Sequence, residues 1–215
     1  MSVLWFAIVH DWAVLAPIVL CSVVLLGVAI ERVWFYRRNR GPSSEYVRRL
    51  QRELERGLDA ARAIAGQHRG ITGEVCTDAI GILATHPERF DTMFDVTVSL
   101  SMRELDRNLA ILGTIATVSP YLGLFGTVVR ILLTFGQMAQ MESGGDTAQI
   151  MFGIGSALIA TATGLGVAIL AVALNNYFRT QVERYAGDFE VLKLTFMSVA
   201  GVPTRPQRQA VQTRA

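Results

Sequence analysis

Residues 119–137 read SPYLGLFGTVVRILLTFGQ. Apart from Arg130 the stretch carries no charge, and its Leu, Ile, Val and Phe content suits a helix in a bilayer. A guanidinium in hydrocarbon costs from about 2.5 to about 17 kcal/mol, depending on whether it can reach water or a partner. The periodicity shows how that cost is contained. At steps of three and four, Ala116, Ser119, Gly123, Thr127, Arg130, Thr134 and Gln137 fall on one helix face. Nearly every polar residue of the segment lies on this stripe. Snorkelling to the outer headgroups would also accommodate Arg130. Its shared face with Thr127 and Thr134 favours an inward direction, towards protein or water.

Working outward, two more segments match the first. Trp12–Ile30, Asn108–Val129 and Thr147–Phe178 contain no Asp, Glu, Lys or Arg. A span needs about 20 mainly apolar residues, so three transmembrane helices are expected. The chain of 215 residues is 51% hydrophobic and 18% charged, where soluble domains carry about 25% charge. The expected fold is an all-α integral membrane protein. Its segments are an outer N-terminal stretch 1–11, span one 12–36, an inner helical region 37–107 and span two 108–141. An outer loop 142–146, span three 147–178, a continuing helix 179–202 and a disordered tail 203–215 complete the chain.

Charge sets the orientation. Met1–Ile30 has no Lys or Arg, whereas residues 37–107 hold twelve arginines against eleven acids. The loop between spans two and three has Glu142 and Asp146 and no base; the chain after Phe178 has six bases and three acids. The positive-inside rule therefore places the N-terminus and the Gly144–Gly145 loop outside, with the middle region and the C-terminus in the cytoplasm. No basic n-region of a cleavable signal is visible. Trp5 and Trp12 suit the outer interface, Trp34 and Tyr36 the inner one.

The middle region reads as helix. Ser43 or Ser44 caps a helix whose Val47, Leu50, Leu54, Leu58, Ala61 and Ala65 share a face. Residues 66–70 break it, and a second helix covers about 71–84. Thr85 and Glu88 then offer a capping box around Pro87. With no breaker before Pro120, one helix is expected from Pro87 to Met141, about 80 Å long at 1.5 Å per residue. Span three is expected to run on towards Val199, until Pro203 and Pro206.

Several functions are disfavoured. The net charge of +2 suggests no nucleic-acid partner. Cys21 and Cys76 are too far apart in topology to pair, and His10, His68 and His86 lack ligand spacing, so no metal or cofactor is expected. The Gly153-x-Gly155 and Gly164-x-Gly166 fragments lie within a span and lack the strand–turn–helix context of a nucleotide site. No catalytic signature points to an enzyme. No inverted repeat or broken half-helix pair points to a carrier.

Span three also carries a stripe, of small residues. Gly153, Ala157, Thr161, Gly164 and Ala168 line one face, with Ser156, Ala160 and Thr163 beside it. Small residues permit close helix packing, and Thr hydroxyls can also bond their own helix carbonyls. Polar stripes on two adjacent spans, in a chain with too few spans to enclose a pathway, suggest a homo-oligomer. Spans two and three would line its cavity, and span one would face lipid.

The stretches ATVSPYLGLFGTVVRI and GIGSALIATATGLGVAILAVALNNYF, with AIERVWFYRR at the end of span one, resemble the ExbB/TolQ/MotA superfamily of ion-driven motor stators. The resemblance covers almost the whole chain. It implies a pentameric ring in the bacterial inner membrane around two helices of an ExbD/TolR-type single-span partner, whose Asp enters the pore. Proton flow there would energise outer-membrane transport through a TonB-type protein, or envelope maintenance through a TolA-type one. A gliding motor or a non-conducting scaffold for a single-span partner are the alternatives. By resemblance, Thr127 and Thr161 match pore-lining threonines, and Ser156 stands where ExbB and TolQ usually carry Glu. Arg130 stands where they carry a small residue, which implies a different partner or a different closure of the outer pore mouth. The expected ion pathway is thus Thr127, Thr161 and Ser156. The expected pore-lining or partner-binding set is Arg130, Ser119, Gly123, Thr134, Gln137, Ala157 and Gly164.

Overall fold

A computed structural model describes residues 12–39, 41–139 and 147–200. The expectations for 1–11, 142–146 and 203–215, Trp5 included, fall outside these residues. Seven α-helices and one 3-10 turn make up the described chain, with no strand among the described residues. They are α1 (Trp12–Arg38), α2 (Ser44–Arg56), α3 (Leu58–Ala65), α4 (Ile71–Thr85), the turn Pro87–Arg89, α5 (Phe90–Asp106), α6 (Leu109–Ala139) and α7 (Thr147–Ala200). Three are long and apolar enough to cross a membrane, over Leu15–Arg38, Leu109–Met138 and within Ile150–Val199. The 54-residue α7 runs from the third uncharged segment to Ala200 without a break, as its lack of Pro predicts.

The chain divides into two units, residues 1–34 with 107–180, and residues 35–106 with 181–215. In the first, α1 buries a narrow stripe of Leu15, Ile18, Leu25, Ala29 and Arg32, and leaves Val19, Leu20, Val23, Leu26 and Ile30 exposed. Leu15 and Ile18 pack on Ala160 of α7, with Leu122 and Val167 alongside. Tyr121, Leu124, Phe125, Val128, Leu132 and Phe135 on α6 are exposed, as are Leu158, Leu165 and Ile169 on α7. Apolar surface on this scale needs lipid or protein against it.

The second unit has an ordinary globular core. Leu50 and Leu54 of α2, Ala61 and Ala65 of α3, and Val75, Cys76, Ala79 and Ile80 of α4 pack with Phe90 and Phe94 of α5 and Phe189, Leu192 and Phe196 of α7. Ser43 caps α2, its hydroxyl accepting from the Tyr46 amide at 3.1 Å. Asn39 supplies a cap from a distance: its Oδ1 accepts from the Ile71 amide at the start of α4 (3.3 Å), and its backbone carbonyl accepts from the Tyr185 hydroxyl. The chain's one lysine, Lys193, places its ammonium 2.6 Å from Asp91 and 2.7 Å from Asp95, joining α7 to α5.

Three expectations are corrected. The single rod from Pro87 to Met141 does not form: α5 ends at Asp106, Asn108 adopts φ 64°, and α6 restarts at Leu109. Asn enters this left-handed conformation more readily than other non-glycine residues, so two polar residues end a helix without Pro or Gly. The expected helix from Ser43 to Ala65 splits at Gly57, whose φ of 139° is open chiefly to glycine. The Thr85–Glu88 capping box is also absent. Thr85 turns its hydroxyl back to the Gly81 carbonyl (2.9 Å), and His86 precedes the 3-10 turn without a side-chain cap. Pro120, by contrast, lies inside α6 and does not end it.

The Asn108 turn generates a test. Asn108→Gly should leave the melting temperature of the purified protein nearly unchanged. Asn108→Val, which carries the left-handed penalty of about 1–2 kcal/mol, should lower it by about 2–8 °C. Equal melting of the two variants would show that the turn is not held in this conformation.

Candidate functional site

The polar face of α6 meets the small face of α7, antiparallel and at close range. A Cβ at Gly164 would lie 2.7 Å from the Ser119 carbonyl oxygen and 2.8 Å from the Gly123 Cα. A Cβ at Gly123 would lie 3.1 Å from both the Ala160 carbonyl oxygen and the Thr161 Cα. Backbone therefore meets backbone, which only residues without a side chain permit. Towards the other end of the contact, Gly153 makes room for Thr134.

Polar groups cross the same contact. The Thr161 hydroxyl donates to the Gly123 carbonyl at 3.0 Å. One residue past Val129, the Arg130 Nε donates to the Ser156 hydroxyl at 2.9 Å, and that hydroxyl donates to the Gly153 carbonyl at 3.1 Å. Arg130 thus sits on its predicted stripe and is turned to span three. Thr127 and Thr134 donate to carbonyls of their own helix, Leu124 at 2.6 Å and Arg130 at 2.9 Å, the local bond that Thr makes in a helix.

The expected site residues separate by exposure. Ser119, Gly123, Thr134, Ser156, Ala157 and Gly164 are buried within the chain. Thr127, Arg130 and Thr161 are half-buried, and Gln137 is exposed. The second group is the part of the stripe that can meet something outside the subunit. Among the described residues no group of three or more His, Cys, Asp or Glu side chains is placed to hold a metal ion.

One charged pair has no counterpart among the sequence expectations. Arg32, 1% exposed, makes two bonds to Glu31, with Nη2 to Oε1 at 2.6 Å and Nε to Oε2 at 2.8 Å. Asn108 donates to the same carboxylate at 3.4 Å. The stretch ERVWFYRR signals orientation through its charge, but neighbouring residues of opposite sign give no periodic signal of pairing.

Three helices long and apolar enough to cross a membrane, two of them packed through glycine, are those of an integral membrane protein. The chain belongs to the MotA/TolQ/ExbB proton channel family, whose pattern it matches over residues 67–191. It is 31% identical to an ExbB-like biopolymer transport protein of Synechocystis over 201 residues, covering 90% of this chain and 79% of that one. Against the biopolymer transport protein ExbB of Salmonella typhimurium it is 31% identical over 184 residues, 80% of this chain and 74% of the other. A 104-residue stretch is 36% identical to the Tol-Pal system protein TolQ of Pseudomonas aeruginosa, 48% of this chain and 45% of that protein.

The glycine contact can be tested with an internal control. Gly164→Val should lower the melting temperature by about 2–12 °C, as overpacking of about 1–3 kcal/mol does. Gly166→Ala, where a Cβ meets nothing within 4 Å in the chain, should fold normally. Comparable loss in both would mean that the outer face of α7 is as tightly packed as the inner one.

Proposed function

We propose that this protein is the inner-membrane stator subunit of an ExbB/TolQ-like ion-driven motor. Copies of the chain, five by resemblance to the family, form a ring around the helices of an ExbD/TolR-type partner. Protons passing between ring and partner energise outer-membrane transport through a TonB-type protein or envelope maintenance through a TolA-type one. The N-terminus is periplasmic and the C-terminus cytoplasmic.

One observation carries this reading: the match to the MotA/TolQ/ExbB proton channel family over residues 67–191, within which Thr127 and Thr161 flank the Arg130–Ser156 hydrogen bond on the stripes of α6 and α7. Residues 147–182 contain no Asp or Glu, and neither do 108–141. A titrating carboxyl within spans two and three therefore comes from the partner's membrane Asp. Thr127 and Thr161 are half-buried hydroxyls whose protons bond the Leu124 and Gly123 carbonyls and whose lone pairs can accept from the protonated carboxyl or from its water. Their proposed role is to orient the carboxyl or its water as the proton enters and leaves. Ser156 belongs to the pathway by holding the Arg130 guanidinium. Gln137 lies two turns further along the same face. The buried members of the stripe, Ser119, Gly123, Thr134, Ala157 and Gly164, keep the two helices close enough for this line to exist.

Arg130 has a second proposed role. A ring of guanidinium groups within the pore repels protons and metal cations until a partner carboxylate or backbone carbonyls face it. The ring alone is then closed, and the partner opens it.

Proton flux into liposomes tests both parts. With the Asp-bearing partner present, Thr127→Val should lower flux by about tenfold or more, a loss of about 1.4 kcal/mol in the limiting step, while the ring still assembles. Without the partner, Arg130→Ala should raise the basal leak, and Arg130→Lys should not. Unchanged flux in the first variant together with unchanged leak in the second would remove both proposed roles, and no flux above background through the wild-type ring with its partner would leave only the non-conducting scaffold.

A further inference from the structure

A pocket of 290 Å³ opens in the second unit where α1 and α7 leave the uncharged segments. Tyr36 and Gly41 line it together with Gln181, Arg184, Tyr185 and Asp188 of α7. Tyr36 lies two residues before the end of α1, and Gln181 lies three residues past Phe178, where the third uncharged run ends. At 1.5 Å per residue, Gln181, Arg184 and Asp188 follow Phe178 by about 4.5, 9 and 15 Å along the helix. The polar layer of a bilayer is about 5–7 Å thick on each face. The pocket therefore begins among lipid headgroups and deepens towards the water.

Its chemistry is ordered along that depth. Arg184 is exposed, and side chains on a helix incline towards the helix N-terminus, here towards the membrane. Its guanidinium can reach back to a phosphate in the headgroup layer. Asp188 stands one turn deeper and is half-buried. Gly41 admits the carboxylate: a Cβ there would lie 2.9 Å from Asp188 Oδ2 and 3.8 Å from the Tyr185 ring. The Tyr36 and Tyr185 ring centroids are 6.1 Å apart. Both phenols already donate, Tyr36 to the Leu105 carbonyl at 2.8 Å and Tyr185 to the Asn39 carbonyl, so their rings are what remain for a ligand. A carboxylate beside two aromatic rings suits an ammonium group. Burial raises the Asp188 carboxyl above the usual aspartate value, and a cation beside it would draw it back.

We propose that this pocket binds the headgroup of a phospholipid that carries a primary ammonium, a phosphatidylethanolamine. The phosphate lies nearer the membrane, on the Arg184 guanidinium, with the Gln181 amide as a further donor. The ammonium lies one helical turn deeper, between the Asp188 carboxylate and the two tyrosine rings. A primary ammonium brings three N–H donors to the carboxylate. A choline headgroup brings none and is wider, and a purely anionic headgroup meets Asp188 as a like charge. The bound lipid ties the end of span one to α7 at the membrane surface. The site rests on the spans crossing a bilayer and not on the proposed ion path, so each can fail without the other.

Headgroup selectivity tests the site. The full-length protein is purified from an equal mixture of phosphatidylethanolamine and phosphatidylcholine with identical acyl chains, and the lipids it retains are counted by native mass spectrometry. The wild type should retain the ethanolamine lipid about five- to tenfold over the choline lipid, as one charge-assisted hydrogen bond allows. Asp188→Asn, close in shape, should bring that ratio near one. Gly41→Ala, which places a methyl group against the carboxylate, should lower it too. Arg184→Gln should reduce retention of both lipids, since both present a phosphate. Equal retention of the two lipids by the wild type overturns the site, as does a preference that survives both Asp188→Asn and Gly41→Ala. Should a variant fail to fold, the wild type decides alone. Short-chain phosphatidylethanolamine should raise its melting temperature more than the choline lipid at the same concentration, and equal rises overturn the site.

Discussion

The contact of α6 with α7 at Gly164 leaves no room for a side chain, with the Ser119 carbonyl and the Gly123 Cα at 2.7 and 2.8 Å from where a Cβ would stand. Hydrophobicity does not drive two helices together inside a bilayer, since lipid tails are as apolar as leucine. Close approach compensates through dispersion and through hydrogen bonds that reach across. At the Gly123–Gly164 crossing, the Thr161 hydroxyl can reach a helix carbonyl on the other span. Further along, the same approach brings Arg130 within bonding distance of Ser156. Both polar crossings depend on the glycine contact, because a helix displaced by one methyl group would leave them out of reach.

Arg130 is tolerable within the span for the same reason. Its stripe is turned to α7, where a hydroxyl accepts one of its N–H groups. Ser156 in turn donates to the Gly153 carbonyl, so the cation is tied to the backbone of the neighbouring helix through one side chain. A rigidly placed guanidinium in a low-dielectric setting exerts a strong field on any carboxyl brought near it. This links the packing of one subunit to the proposed control of an ion path by a partner.

The three spans are legible in the sequence because three long uncharged runs are rare in a soluble chain of this length, and the polar stripe of α6 is legible from its period. What the period cannot show is which neighbour the stripe meets. The contact of Ser119 and Gly123 with Gly164 depends on the pairing of two segments far apart in sequence, and no local pattern records it. The break at Asn108 is hidden because Asn gives a weaker stop signal than Gly or Pro, and the apolar pattern resumes one residue later. Gly57 is visible but outweighed by the uninterrupted spacing of Leu54, Leu58 and Ala61.

The most direct test of the α6–α7 contact is oxidative cross-linking between Thr134→Cys and Gly153→Cys in a chain whose Cys21 and Cys76 are replaced by Ala. A Cβ at Gly153 would lie 3.0 Å from the Thr134 Cβ, close to the separation of about 3.5–4.5 Å that a disulfide spans. Helices packed in this way should cross-link within one chain, seen as a monomer that loses two hydrogens in mass and changes mobility on a non-reducing gel. Dimers and higher ladders in place of that monomer, or no cross-link at all, would contradict the contact.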